Sequence, residues 1–302
     1  MGTLATIDIG TNTVLLLVAR RERDKWVILR DEARISRLGE GLHQAPFFLS
    51  QAQERTFAVL KEFRDMAQDD GAQTVQAVGT AAFRKAKNAL EFVGRVKKEL
   101  GIAIEIISGE EEAKLSYLSV KTDFGNVPNL VALDIGGGST EIISEETSVS
   151  LDLGAVVLTE RYFRHDPPTP EEVRSVIEKI EGTLEGHAAF EMTIPLNLVG
   201  LAGSVTTLSA LHQKLPTWDG PRVQGSKLLR SDIDSMIEVF RRTTIGEKSK
   251  MIGMVKGRED TILAGTLILQ SIMSHLKVDE IIVSDRGLRF GLCVIRGDSD
   301  LC

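Results

Sequence analysis

The chain of 302 residues is short of cysteine, of histidine and of net positive charge, and it has no long apolar run. Two cysteines, Cys293 and Cys302, leave little room for a disulfide framework, so a reducing cytoplasm is the expected compartment. No stretch approaches the ~18 apolar residues of a helical membrane span, and the first residues pass straight into a strand-like segment, so neither a signal peptide nor membrane association is expected. The 36 Lys and Arg are outnumbered by 43 Asp and Glu, a net charge of −7, which argues against general DNA or RNA binding. An anionic ligand then has to be met by a local basic site. The clusters Arg20-Arg21-Arg23-Lys25, Arg84-Lys85-Lys87 and Arg95-Lys97-Lys98 read first as solvated faces. The five histidines show no metal-ligand spacing, which leaves oxygen as the donor for any metal. There is no low-complexity tract. What remains, 42% hydrophobic and 26% charged residues, is an ordinary globular composition with length enough for two domains.

Against these absences stands a repeated motif. Asp8-Ile9-Gly10-Thr11-Asn12-Thr13 recurs in the second half as Asp134-Ile135-Gly136-Gly137-Gly138-Ser139-Thr140. Each copy ends an apolar run and precedes β-type residues, which reads as strand, glycine turn, strand, with a carboxylate at the turn. Glycine admits a ligand close to the backbone, and successive N–H groups form an anion nest. One copy alone is most simply a folding turn; two copies on equivalent strands predict a phosphate and magnesium cleft between related lobes. The N–H groups of Gly10, Gly136, Gly137 and Gly138 and the side chains of Thr11, Asn12, Ser139 and Thr140 are the expected phosphate ligands. Asp8 and Asp134 are the candidate magnesium carboxylates, since magnesium keeps most of its water and takes one or two of them. Glu141 is either a further metal partner or a solvated strand residue. A third glycine turn, Gly200–Ser204, feeds a helix whose N-terminus suits phosphate or nucleotide, with Gly203 and Ser204 nearest, or else serves close strand–helix packing.

Alternating strand and helix patterns predict an α/β protein. The first lobe opens with strands at 5–9, 14–20 and 26–30. A helix follows, capped by Ser50 and running to Gln68, with Phe57, Leu60, Phe63 and Met66 inward. Strand 74–78, helix 89–100, strand 102–107 and helix 110–120 complete that lobe, and Asp123–Asn129, with Gly125 and Pro128, is the expected boundary. The second lobe repeats the order, with strands at 130–134, 141–144 and 148–152. Next come a helix started by the capping box Thr169-Pro170-Glu171-Glu172, a strand at 196–201, a helix from Val205, a long helix at 260–276 and a strand at 280–283. Loops are expected at 43–48 and 213–225. The domains are thus read as 1–125 and 126–302.

Six stretches in order along nearly the whole chain, Asp8–Thr13, Val78–Arg84, Ile107–Ala113, Asp134–Glu141, Gly200–Leu208 and Ser284–Leu288, resemble the exopolyphosphatase/guanosine pentaphosphate phosphohydrolase family. That family lies within the sugar kinase and actin superfamily. The resemblance implies an α/β fold of two actin-like (ribonuclease H-like) lobes with a cleft between them, in the short form without an added C-terminal helical domain. It implies Glu112 as the base that activates water, Arg84 as a phosphate-contacting arginine, and Asp134 and Glu141 at magnesium, with manganese as a substitute. It further implies inorganic polyphosphate or guanosine pentaphosphate as substrate, and a homodimer. Without it, Glu110, Glu111 and Glu112 read as acids complementing a helix dipole, and Arg84 as a surface charge. Ser204 stands where relatives commonly carry threonine after glycine, so nucleotide affinity is left open. The competing classes are a kinase or ATPase of the same superfamily and a sensor that binds without turnover.

Overall fold

The computed structural model describes residues 2–23, 25–187 and 196–299; Cys302 lies outside them. The backbone forms two compact units, one of residues up to Ser119 and from Leu288 onward, the other Val120–Gly287.

Unit 1 opens with the meander β1 (Thr3–Ile9), β2 (Thr13–Glu22) and β3 (Lys25–Ile35). It continues with α1 (Ser50–Asp69), β4 (Thr74–Gly79), α2 (Ala81–Lys85), α3 (Ala89–Leu100), β5 (Ile104–Ile106) and α4 (Gly109–Phe124). The sheet order is β3-β2-β1-β4-β5, with β4 parallel to β1 and β5 parallel to β4. Ile7, Ile9, Leu16, Leu60, Phe63 and Phe92 meet in its core. The third strand runs five residues past the expected Arg30, because the charges that hid it are paired. Arg30 bonds Asp70 and Arg34 bonds Glu62, both from one face of β3 to α1 and its end. Ser50 is not a cap: it is the first helical residue, Leu49 holds the cap position, and no side chain caps the N–H groups.

Unit 2 repeats the plan with β6 (Leu130–Ile135), β7 (Thr140–Ile143), β8 (Ser148–Leu151), α5 (Ala155–Tyr162), α6 (Pro170–Glu185), β9 (Asn197–Leu201) and α7 (Ala202–His212). It ends with α8 (Gly220–Val223), β10 (Lys227–Leu229), α9 (Arg230–Phe240), α10 (Ile245–Lys248), α11 (Ile262–His275) and β11 (Glu280–Val283). The order β10-β11-β9-β6-β7-β8, read from β8, reproduces that of unit 1 with one added edge strand. The α/β, actin-like expectation is met in each unit. Helix α11 is buried almost all round, through Ile262, Leu263, Leu267, Ile268 and Met273. The expected capping box is present: Thr169 Oγ1 accepts from Glu172 N and Glu172 returns a bond from Thr169 N at 3.0 Å. Segment 213–225 is not wholly loop, since α8 lies in it, and α7 begins at Ala202 rather than Val205.

The final helix, α12 (Leu288–Ser299), returns to unit 1. Leu288 and Leu292 pack with Val78, Ile107 and Leu115, and Cys293 packs with Leu4, Leu17 and Ala19. The compact units therefore differ from a linear cut at 125/126. Residues 123–129 also fail to behave as a linker at their start: α4 runs unbroken to Phe124, and Asp123 accepts from Arg286 at 2.7 Å and Gln224 at 3.0 Å.

Candidate active site

Both glycine turns close the same way. Gly10 N donates to Thr13 O at 2.9 Å and Gly136 N to Ser139 O at 3.0 Å. Each is gripped from behind by the chain that leaves the third strand. Thr11 O accepts from Gly39 N, and Asn12 O from Ser36 and Arg37 N. In unit 2, Gly136 O accepts from Ala155 N, and Gly137 O from Val156 and Val157 N. The close approach leaves no room for a side chain at Gly154, where a Cβ would overlap the Gly137 carbonyl, and at Gly39 a Cβ would meet the Thr11 methyl group. Because C=O and N–H of one peptide point oppositely, this grip turns the Asn12 and Gly137 N–H groups outward. It also takes up the first N–H groups of α5, so that helix end is a buttress for the turn.

The turns hold two orphan atoms in unit 1. Asn12 is buried, and its amide Nδ2 has no hydrogen-bond partner; Asp8 Oδ1 is shut from solvent and likewise has none. An unpartnered buried donor suits an anionic oxygen, and an unpartnered buried carboxylate oxygen suits a cation. The fit to a phosphate with its magnesium is therefore good at this turn.

Strands β1, β4 and β5 run parallel, and their carboxyl ends carry the remaining groups. Gly79 ends β4, with the Phe83 ring lying on its bare α-carbon, and α2 then presents Arg84. After β5, Ser108 opens α4 by exchanging bonds with Glu111: Glu111 N reaches Ser108 Oγ, and Glu111 Oε2 accepts Ser108 N at 2.9 Å. Glu111 thus caps the helix, as its dipole-complementing reading predicts, while Glu112 turns inward. Arg84 Nη1 donates to Glu112 Oε2 at 2.7 Å and to Ile107 O at 3.0 Å. Burial pushes the Glu112 carboxyl up, with the Arg84 charge and hydrogen bond pulling it back. Burial first, and the Glu112 charge second, push Asp8 up to about 7, with Arg289 opposing. Asp8, Arg84 and Glu112 are thus brought together as one set.

In unit 2 the register sets Asp134 opposite Glu141 on β6 and β7. Glu141 is not a solvated strand residue: it is 2% exposed and accepts from Ser150 Oγ at 2.8 Å. One expected phosphate hydroxyl is engaged elsewhere and a second is buried against a helix. Thr140, fully buried, donates to Leu153 O, and Ser204 Oγ lies against Gly265 of α11. Ser139 is buried at the turn. At the third turn Ala202 takes a left-handed φ of 64°, which lets strand pass into helix within one residue. Among the described residues no three His, Cys, Asp or Glu side chains gather as a metal cage, so any magnesium here would draw on single carboxylates and on ligand oxygens.

Two arginines escaped sequence reasoning. Arg258 lays its guanidinium on Gly203 at the start of α7, where a Cβ would overlap it; within Gly257-Arg258-Glu259-Asp260 it reads as one surface charge among several. Arg289, 6% exposed on α12, grips Asp31 through two 2.8 Å bonds, and its backbone carbonyl accepts from Thr6 Oγ1. It follows the Ser284–Leu288 stretch directly, and that adjacency was the available signal.

Residues 17–297 match the family model described as the Ppx/GppA phosphatase family. The chain is 32% identical to Exopolyphosphatase 2 of Mycobacterium tuberculosis, over 96% of this chain and 97% of that one. It is 29% identical to a guanosine-5'-triphosphate,3'-diphosphate pyrophosphatase of Photobacterium profundum, over 95% of this chain and 58% of that protein. A solved Ppx/GppA family member from Aquifex aeolicus superposes with a TM-score of 0.81 at 34% identity, covering 99% of this chain and 98% of its own. With the acid–arginine set and the two glycine turns in place, the chain belongs to the Ppx/GppA phosphatase family.

Proposed function

We propose that the protein is an exopolyphosphatase, which hydrolyses the terminal phosphoanhydride of inorganic polyphosphate and releases orthophosphate. The observation that carries this reading is the Asp8–Arg84–Glu112 set. Glu112, raised by burial, takes the proton of the attacking water. That water's oxygen bonds the terminal phosphorus as the bridging P–O bond breaks and the shortened chain leaves. Arg84, held by Glu112 and by Ile107 O, offers its remaining N–H groups to the transferring phosphoryl oxygens, where charge develops. Asn12 Nδ2 and the outward N–H groups of the turns orient the chain of phosphates. Asp8 in unit 1 and Asp134 and Glu141 in unit 2 are the residues that would hold magnesium or manganese, which would supply charge neutralisation along the phosphates. Support for polyphosphate as substrate comes from the exopolyphosphatase relative of nearly equal length. The second reading, removal of the terminal phosphate from guanosine pentaphosphate, is favoured by the Photobacterium relative and uses the same groups.

Glu112→Gln is the test. It keeps size and polarity but cannot take a proton, so kcat on polyphosphate should fall by about 100-fold or more, with polyphosphate binding retained. Near-normal phosphate release by the variant rules the assignment out. Running polyphosphate, tripolyphosphate, guanosine pentaphosphate and ATP in parallel ranks the substrates by kcat/KM.

A further inference from the structure

We propose that Ser36 binds substrate phosphate, its hydroxyl and the Asn12 amide together grasping one anionic oxygen at the first glycine turn. This deepens the function proposed above and rests on that turn taking phosphate. Among the described residues, three buried side-chain atoms without a hydrogen-bond partner belong to the turn and to the segment that grips it: Asp8 Oδ1, Asn12 Nδ2 and Ser36 Oγ. A cation and an anion account for the first two; the serine hydroxyl, on a residue 1% exposed, is left over. Its place is fixed on both sides. Ser36 N donates to Asn12 O at 3.0 Å, and Ser36 O accepts from Arg55 Nε of α1 at 2.9 Å. Arg55 also reaches Glu40 Oε2 at 2.6 Å, so the segment from Ser36 to Glu40 is stapled to α1. The backbone is therefore not free to shift and give the hydroxyl a partner.

The strand register brings the two donors together. β2 and β3 are antiparallel and pair Thr13 with Ile35, and the bond from Ser36 N to Asn12 O carries that pairing one step further. Opposed residues of an antiparallel pair hold their side chains on one face, about 5 Å apart at Cβ. The amide nitrogen only donates, and the hydroxyl has one hydrogen to place. A water between them could accept from Asn12 and donate to Ser36, but the hydroxyl hydrogen would then find no acceptor. An anionic oxygen accepts from both and leaves neither hydrogen over. Hydrogen bonds to a charged oxygen are about twice as strong as those between neutral groups, which favours phosphate over a neutral ligand. Keeping the hydroxyl dry and unpaired costs the ligand-free protein stability, and bound phosphate offsets that cost. The pair is thus prepared for its ligand before the ligand arrives.

The test is titration calorimetry of the full chain with orthophosphate and magnesium, beside thermal unfolding in phosphate-free buffer. Ser36→Ala should bind phosphate about tenfold more weakly or worse, while its unfolding midpoint without phosphate equals or exceeds that of the wild type. The variant loses ligand without losing fold, a pattern that a merely structural hydroxyl does not give. Unchanged affinity in Ser36→Ala overturns the proposal and makes the hydroxyl a water ligand. A lowered midpoint together with weaker binding overturns it too, since the hydroxyl would then be holding the fold. So does a wild type that shows no heat of phosphate binding. Phosphate release from polyphosphate reports on the hydrolase reading separately. The expected pattern in a protein that hydrolyses no polyphosphate upholds the Ser36 contact and sinks the hydrolase; hydrolysis with affinity unchanged in Ser36→Ala upholds the hydrolase and sinks the contact.

Discussion

Asp8→Asn isolates the cost of holding a buried carboxylate ready for a cation. Asp8 rises from 3.8 to about 7 on folding, roughly three units or about 4 kcal/mol at full ionisation. The folded chain binds the proton more tightly than the unfolded chain does. This group's contribution is therefore complete below the unfolded value and is lost as pH rises through about 7. Between pH 5 and 8.5 the cation-free wild type should lose about 2–3 kcal/mol that the asparagine variant keeps. Any constant cost of the amide cancels, since the prediction concerns the difference in slope. Trp26 lies on β3 of unit 1 and Trp218 in unit 2, so urea unfolding followed by tryptophan emission in a Trp218→Phe background reports unit 1. Magnesium should narrow the gap at pH 8.5 by stabilising the wild type more than the variant. Parallel stability–pH curves for the two proteins would refute both the raised pKa and the orphan-oxygen argument for the metal.

Gly154→Ala should destabilise unit 2 by about 1–3 kcal/mol and depress phosphate release, because the added methyl overlaps the Gly137 carbonyl; thermal melts and initial rates check both. Gly182→Ala, inside α6 with nothing around its missing Cβ, should instead stabilise by up to about 1 kcal/mol with activity unchanged. Thr169→Ala removes the bond to Glu172 N and should cost about 1 kcal/mol in denaturant titrations, again with unchanged kinetics.

What could be read from the sequence was local or repeated. The Thr169 box was legible because cap and acid lie three residues apart, and the glycine turns because they occur twice. Ser50 misled: it has a capping residue's chemistry, but the helix takes it as its first residue. The far half of β3 was hidden because Arg30 and Arg34 look like solvent charges until α1 supplies their acids. At the site, Glu112 and Arg84 stood out through the family resemblance, whereas the bond between them joins side chains 28 residues apart and leaves no local pattern. Thr140 was read as a ligand from the repeated turn and Ser204 from the glycine turn that feeds a helix; Thr140 Oγ1 donates to Leu153 O and Ser204 is buried beside Gly265, contacts made by residues distant in sequence. Arg258 and Gly154 act across long sequence separations, and no local pattern records that.

The return of α12 makes unit 2 a continuous stretch of chain and unit 1 a discontinuous one. In topological terms unit 2 is an insertion carried within a unit of the same strand order. The inserted copy needs no covalent help from its host's ends, whereas the host has its sheet and its last helix at opposite ends of the message. A ribosome therefore releases every strand of unit 1 long before Leu288, Leu292 and Cys293 exist to cover them, and completion of the first lobe must wait for the second.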